Sequence, residues 1–282
     1  MDKSAMKTRE LGNWTRVAPG WRKYDEYLSR TFRPVSERLL DEAGVGPGHR
    51  VLDIASGTGE PAIPAALRVG DAGFVLGSDF VEEMLACARE KADAHGLPRL
   101  EFRRLDGELL DVPDASFDAV TMRWGLMFMP DPGACLKQAY RALRPGGRIA
   151  LSCWAAPERN PWLTVAMGVL KRYIEIPSPP AGATGIFAFA DPSRLRAAIE
   201  AAGFRDVRVD PLDVDAIDFA TGAEYFSFVF EIAGPLTSLY AQLDQATQEQ
   251  VARDVAAEAR RASRSRERVS LSGVTWVATG TK

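Results

Sequence analysis

Histidine is nearly absent: the 282-residue chain contains only two. His49 sits in a Pro-Gly-His-Arg turn ahead of an apolar strand, and His95 precedes Gly96 at the end of a helical stretch, where its charge suits the helix dipole. Neither place suits chemistry, which excludes a histidine-based zinc site, a Ser-His-Asp triad and a Cys-His pair. Cysteine is sparse too. Cys87, Cys135 and Cys153 are odd in number and far apart, so they read as buried thiols, and no metal site is expected. Neither sign of charge dominates. With 35 Lys and Arg against 38 Asp and Glu, the net charge of −3 gives no general attraction to nucleic acid or anionic membrane. No apolar run approaches the roughly 20 residues of a membrane span. The first ten residues, Met-Asp-Lys-Ser-Ala-Met-Lys-Thr-Arg-Glu, lack the apolar core of a signal peptide. At 46% hydrophobic and 26% charged, the composition is that of an ordinary globular chain, expected in the cytoplasm.

What is present begins at Val51-Leu-Asp-Ile-Ala-Ser-Gly-Thr-Gly59, an apolar strand that turns through two glycines into a helix. Glycines so close together allow a tight turn and close approach of a ligand, and the following helix offers unsatisfied N–H groups. The same letters fit G-x-G-x-x-G/A, with Asp79 about 20 residues on, so a dinucleotide remains open at this point. Asp53 weighs against it. A carboxylate directly beneath the turn would repel pyrophosphate and welcome a positive group.

From 34 to 154 strand and helix alternate. Pro34 is expected to open a helix that stops at Gly44, and strands are expected at 50–54, 73–78, 100–104, 117–122 and 148–154. Helices are expected at 60–69, at 81–94 and from an Asp131-Pro132 start. Such alternation requires a parallel sheet with right-handed crossovers and its ligand at the carboxyl ends of the strands. Asp53, Gly57, Asp79, Asp106 and Arg123 all fall at those ends. Farther on, Asp191-Pro192-Ser193 opens another helix, 207–214 reads as a sixth strand and 271–279 as a seventh. Capping boxes at Thr221–Glu224 and Thr247–Gln250 each start a helix in a segment the sheet does not need.

Asp53-Ile-Ala-Ser-Gly-Thr-Gly59, Asp79, Leu105-Asp106-Gly107 and Leu143-Arg-Pro-Gly-Gly-Arg148, in this order and spacing, resemble the motifs of class I S-adenosylmethionine-dependent methyltransferases, nearest the ubiquinone and menaquinone C-methyltransferases. The resemblance covers roughly residues 35 to 154. One departure is Ala55, where the family carries its first glycine. The resemblance implies an α/β, Rossmann-like, seven-stranded and mostly parallel sheet with helices on both faces and a helical substrate cap. The expected organisation is an aromatic N-terminal flap at 1–33, a cofactor-binding core at 34–154, a cap insertion at 155–190, a core helix and strand at 191–219, a second cap insertion at 220–268 and a last strand at 269–282. S-adenosylmethionine is the implied cofactor.

On that reading Asp53 holds the ammonium of the cofactor, while Ala55, Gly57, Thr58 and Gly59 form the turn. Asp79 accepts the ribose hydroxyls, Phe80 and Met84 flank the adenine, and Asp106, Gly107 and Glu108 meet its amino group. Arg123 contacts cofactor or substrate, and Tyr24 is the flap residue over the cofactor, although Trp21, Tyr24 and Leu28 also share one packing face. No catalytic residue is diagnostic; Tyr24, Glu60 and Asp131 are the candidate bases. Trp124, Phe128, Trp162, Phe187, Phe189 and Phe226 are expected to line the substrate pocket. Such a surplus of apolar residues favours a small, fairly apolar or aromatic methyl acceptor, with O, N or C as the attacked atom. The basic stretch Arg260–Arg268 lacks interleaved aromatics and reads as a solvated face. A homodimer is admitted. The rival readings are an NAD-dependent oxidoreductase, for which no Tyr-Lys or histidine pair is placed, and a non-catalytic S-adenosylmethionine-binding protein.

Overall fold

The computed structural model describes residues 3–176 and 183–282. Two helices lead the chain, α1 (Lys3–Lys23) and α2 (Asp25–Glu42). The chain then alternates through β1 (Arg50–Ile54), α3 (Ala62–Val69), β2 (Phe74–Asp79), α4 (Glu82–Ala94), β3 (Leu100–Arg104), β4 (Phe117–Arg123), α5 (Pro132–Ala142) and β5 (Leu143–Trp154). After it come α6 (Pro161–Leu170), α7 (Pro192–Ala201), β6 (Arg205–Phe219), three helices α8 (Gly222–Ile232), α9 (Gly234–Tyr240) and α10 (Gln245–Ala262), and β7 (Val269–Thr281).

The seven strands form one sheet in the order β3-β2-β1-β4-β5-β7-β6. Neighbours among β1 to β5 are parallel, and β7 runs antiparallel to both β5 and β6. Val51, Leu52, Ile54, Val75, Leu76, Ala119 and Val120 are all buried, the continuous apolar reading of strands covered on both faces. Strand order steps outward from β1 to β3, then reverses to β4. Right-handed crossovers therefore carry α3 and α4 over one face and α5 over the other. The crevice at the β1/β4 reversal is where ligands of such sheets bind.

Five expected boundaries move. α2 begins at Asp25 and runs through Pro34, so 33/34 is no break between flap and core. The fifth strand starts at Leu143, which pairs with Phe117; the register then shifts, and Arg144–Gly147 bulge from the ladder before Arg148 resumes it opposite Ala119. Strands β6 and β7 are longer than their alternation indicates, pairing from Arg205 opposite Thr281 to Phe219 opposite Val269. Thr221 and Glu224 form the expected capping box, but α10 is capped one turn earlier than Thr247, by Asp244, whose carboxylate accepts the Thr247 amide at 3.0 Å. The expected Pro-Ser-Pro-Pro-Ala-Gly loop, 177–182, lies outside the described residues.

The basic stretch behaves as a solvated face: Arg261, Arg264 and Arg268 pair with Glu258, Asp215 and Asp218. The three cysteines are free and buried. Among the described residues, no group of histidine, cysteine and carboxylate side chains could hold a metal ion, and no helix is long and apolar enough to cross a membrane.

Candidate functional site

At the carboxyl end of β1 the chain turns through Ala55 at φ +57°, Gly57 at +51° and Gly59 at +102°. For alanine this left-handed backbone is unfavourable. Its methyl group fits because residue 125 is glycine: a Cβ there would stand 2.6 Å from the Ala55 Cβ. Gly57 donates its amide to Asp79 Oδ2 at 2.9 Å, and Asp79 Oδ1 accepts the Val81 amide at 2.9 Å at the start of α4. One carboxylate thus ties the β1 turn to the end of β2. Burial pushes its pKa above the ordinary value, opposed by these backbone donors. A Cβ at Gly59 would meet Ile63 Cδ1 at 2.8 Å, and Gly59 lies off the cavity wall.

These turns border a cavity of about 570 Å³. Ala55, Gly57, Thr58, Asp79, Phe80, Met84, Asp106, Gly107 and Glu108 form one end of its wall. Met84 is buried among Ala18 and Val81, with Leu11, Trp14, Trp21 and Phe80 against it, so an apolar slot opens between α1 and α4. Asp106 is held twice: Oδ1 accepts the Glu108 amide at 2.9 Å, and Oδ2 takes Lys7 Nζ, which also lies 2.8 Å from Glu108.

The other end of the cavity is aromatic. Trp124, also left-handed at φ +58°, stacks on Trp154 with centroids 4.5 Å apart and planes 12° from parallel; Trp154 leans on Trp162 at 4.9 Å. Two indole N–H groups are already used. Trp124 Nε1 donates to Thr275 Oγ1 at 2.9 Å and Trp162 Nε1 to Asn160 Oδ1 at 3.2 Å. Phe128 and Phe187 join this wall, and Trp14 meets Phe128 edge-on at 4.9 Å.

Between the two ends lies a charged cluster. The Ser36 hydroxyl donates to Glu60 Oε2 at 2.9 Å and accepts from Arg123 Nη1 at 3.0 Å; Arg123 Nη1 and Glu60 Oε2 are 3.8 Å apart. Glu60 and Arg123 line the cavity, whereas Asp53 does not. Asp53 is 0% exposed, accepts Thr121 Oγ1 at 2.8 Å on Oδ1, and keeps Oδ2 without a partner, the one such buried side-chain atom among the described residues. Burial pushes its pKa up to about 8, only partly offset by Thr121 and the positive charge of Arg123.

Several expected site residues stand elsewhere. Tyr24 is outside the cavity, with its ring edge-on to Phe228 and its hydroxyl 3.4 Å from Glu231, because α1 ends at Lys23 and Tyr24 caps the next helix. Burial raises its pKa, which makes the phenolate scarcer near neutral pH. Asp131 N-caps α5 through the Ala134 amide and pairs with Lys3, away from the cavity wall. Phe189 is buried beneath Arg194, and Phe226 packs on Phe230 and Tyr240; neither lines the cavity. Asp53 is buried behind the wall and is not part of it. Residues that sequence reasoning missed sit mainly on α1: Lys7, Glu10 and Val17 face the cavity together with Trp14 and Trp21 of the expected aromatic flap. Their steps of three and four are a helical stripe, a signal that was there to read.

A family model described as a methyltransferase domain matches residues 51–147. The chain is 35% identical to nocamycin O-methyltransferase of Saccharothrix syringae over 197 residues, which are 66% of this chain and 69% of that protein. It is 38% identical to the ubiquinone/menaquinone biosynthesis C-methyltransferase UbiE of Pseudoalteromonas translucida over 44% of this chain, spanning only about half (49%) of that relative. The YcgJ protein of Bacillus subtilis has the same fold, with a TM-score of 0.54 over 89% of this chain and 98% of that one at 21% identity. The chain belongs to the class I S-adenosylmethionine-dependent methyltransferases.

Proposed function

We propose that the protein methylates an O, N or C nucleophile of a small, fairly apolar or aromatic molecule. One observation carries this reading: the cavity that begins at the Gly57 turn and Asp79 is continuous with the wall of Trp124, Trp154 and Trp162. The donor end fits S-adenosylmethionine. Gly57 has nothing within 4 Å of where a Cβ would stand, Asp79 lies on the wall beside it, and the Met84 slot can take a flat ring. When bound, that cofactor supplies an electrophilic methyl on a sulfonium for in-line attack.

The chain's own contribution is positional. Holding a nucleophile about 3–3.5 Å from the methyl carbon and excluding water is worth several kcal/mol without any proton transfer. The tryptophan wall offers ring faces, and since the Trp124 and Trp162 N–H groups are spent internally, it favours a flat apolar acceptor over a hydrogen-bonding one. Of the three candidate bases only Glu60 lines the cavity, and neither histidine does. Acceptors already acidic or nucleophilic enough therefore suit the site: phenols, enols, amines and activated ring carbons.

The test is incubation with S-adenosylmethionine and a panel of phenols, quinols, aromatic amines and hydrophilic amines, reading release of S-adenosylhomocysteine and a product heavier by one methylene. Turnover confined to the flat apolar members is expected. Turnover only with hydrophilic amines would overturn the acceptor assignment, and cofactor binding without turnover on any acceptor would favour a non-catalytic binding protein.

A further inference from the structure

The pair Arg123 and Glu60 has more hydrogen-bonding capacity than the protein uses. Arg123 spends Nη1 on Ser36, and Glu60 spends Oε2 on the same hydroxyl. Arg123 Nε and Nη2 and Glu60 Oε1 have no hydrogen-bond partner among the described residues, yet none of them is a closed-off orphan, because Asp53 Oδ2 alone has that status. The side chains are only 5% and 10% exposed, and both residues line the cavity. What exposure these free atoms have is therefore toward the cavity. A buried guanidinium and carboxylate with open donors and an open acceptor lose free energy until something satisfies them.

The ligand's orientation follows from strand order. The residues after β3, the end of β2, the turn after β1 and the end of β4 stand side by side along the sheet edge. Strands are about 4.8 Å apart, so this row spans roughly 14 Å. With adenine at Asp106 to Glu108 and ribose at Asp79, the remaining part of the cofactor runs past Gly57 and Thr58 toward Arg123. That part ends in an ammonium and a carboxylate, a neutral zwitterion that matches a neutral Arg/Glu pair group for group.

We propose that Arg123 and Glu60 together grip the amino-acid end of S-adenosylmethionine, with Arg123 Nε and Nη2 on the carboxylate and Glu60 Oε1 on the ammonium. Asp53, with no surface on the cavity, does not touch the ligand. It stands behind Arg123 without reaching the ligand, and Ser36 holds the pair in register from α2. This assignment rests on the donor end described above, and it removes Glu60 from proton transfer.

Two ligands separate the parts of the site: S-adenosylhomocysteine, which carries the amino-acid end, and 5′-methylthioadenosine, which lacks it. Calorimetric titration of Arg123→Met is expected to show a loss of about tenfold or more for S-adenosylhomocysteine, with 5′-methylthioadenosine unchanged. Arg123→Lys should recover part of the loss. Glu60→Gln, which keeps the shape, should show the same selectivity and guards against a folding defect in the arginine variants. Equal losses for both ligands, or none for either, would overturn the assignment. Absence of binding of either ligand to the unaltered protein would instead remove the donor site on which it rests.

Discussion

Asp79 and Gly57 are joined across the sheet edge, the Gly57 amide donating to Asp79 Oδ2 at 2.9 Å. The carboxylate on the cavity wall also fixes the turn beside it. Asp79→Ala is therefore expected to weaken S-adenosylmethionine binding by about 1–3 kcal/mol through lost charge-assisted hydrogen bonds. It should also lower the melting temperature, since the Gly57 and Val81 amides lose their acceptor. Calorimetry and thermal unfolding check the two effects separately; unchanged affinity would place the ribose elsewhere.

Asp53 makes stability depend on pH in the sense opposite to a salt-bridged carboxylate. Its folded value of about 8 stands above the ordinary 3.8, so the folded state binds the extra proton between these values. Its contribution is fully present below the ordinary value and is lost as pH rises toward 8. In Asp53→Asn this loss disappears. The melting temperature of the variant minus that of the unaltered protein should become more positive between about pH 5 and 9; a flat difference would contradict the burial of an ionisable group there.

Gly125 and Ala55 form a pair that a double-mutant cycle can read. Gly125→Ala places a methyl group 2.6 Å from Ala55 Cβ and 3.0 Å from Met122 Cγ, which should cost about 1–3 kcal/mol. Ala55→Gly removes one of these clashes and should restore part of the loss. Additive effects in chemical unfolding would show that the two residues do not meet.

Lys7 ties α1 to Asp106 and Glu108, and Lys3 ties it to Asp131. Lys7→Ala is expected to speed amide hydrogen exchange over α1 while changing global stability by only about 1 kcal/mol, since Lys7 and Asp106 remain partly exposed. Exchange rates equal to those of the unaltered protein would mean that apolar contacts alone hold the helix.

The alternating core was legible because parallel strands buried on both faces read as unbroken apolar runs between turn signals. Asp131-Pro132 and Asp191-Pro192 announced their helices through capping chemistry that acts within one turn, and both cap as expected. Pro34 misled because a proline compatible with a first turn can also be carried inside a longer helix. Aromatic residues misled for another reason. Phe187 and Phe189 have the same character and lie two apart, yet one lines the cavity and the other is packed beneath Arg194. Side-chain type states that a ring is buried, not against what. Tyr24 continues the stripe through Trp21 in number only, since the junction between α1 and α2 turns it away. The open atoms of Arg123 and Glu60 depend on Ser36 arriving from a third element, which no local pattern encodes.

Phe219 pairs with Val269, so the chain leaves the sheet into α8, α9 and α10 and returns to it at adjacent points of one hairpin. A segment joined at a single stalk can be lengthened, shortened or replaced without disturbing the ladder that carries it. The two ends of the cavity are thus built on different terms: the turn at Gly57 is bound to the sheet through Asp79, whereas Ile232, Leu236 and Leu239 reach the cavity from the segment outside the sheet. A lineage could exchange one acceptor for another by rewriting that segment and still use the same methyl donor.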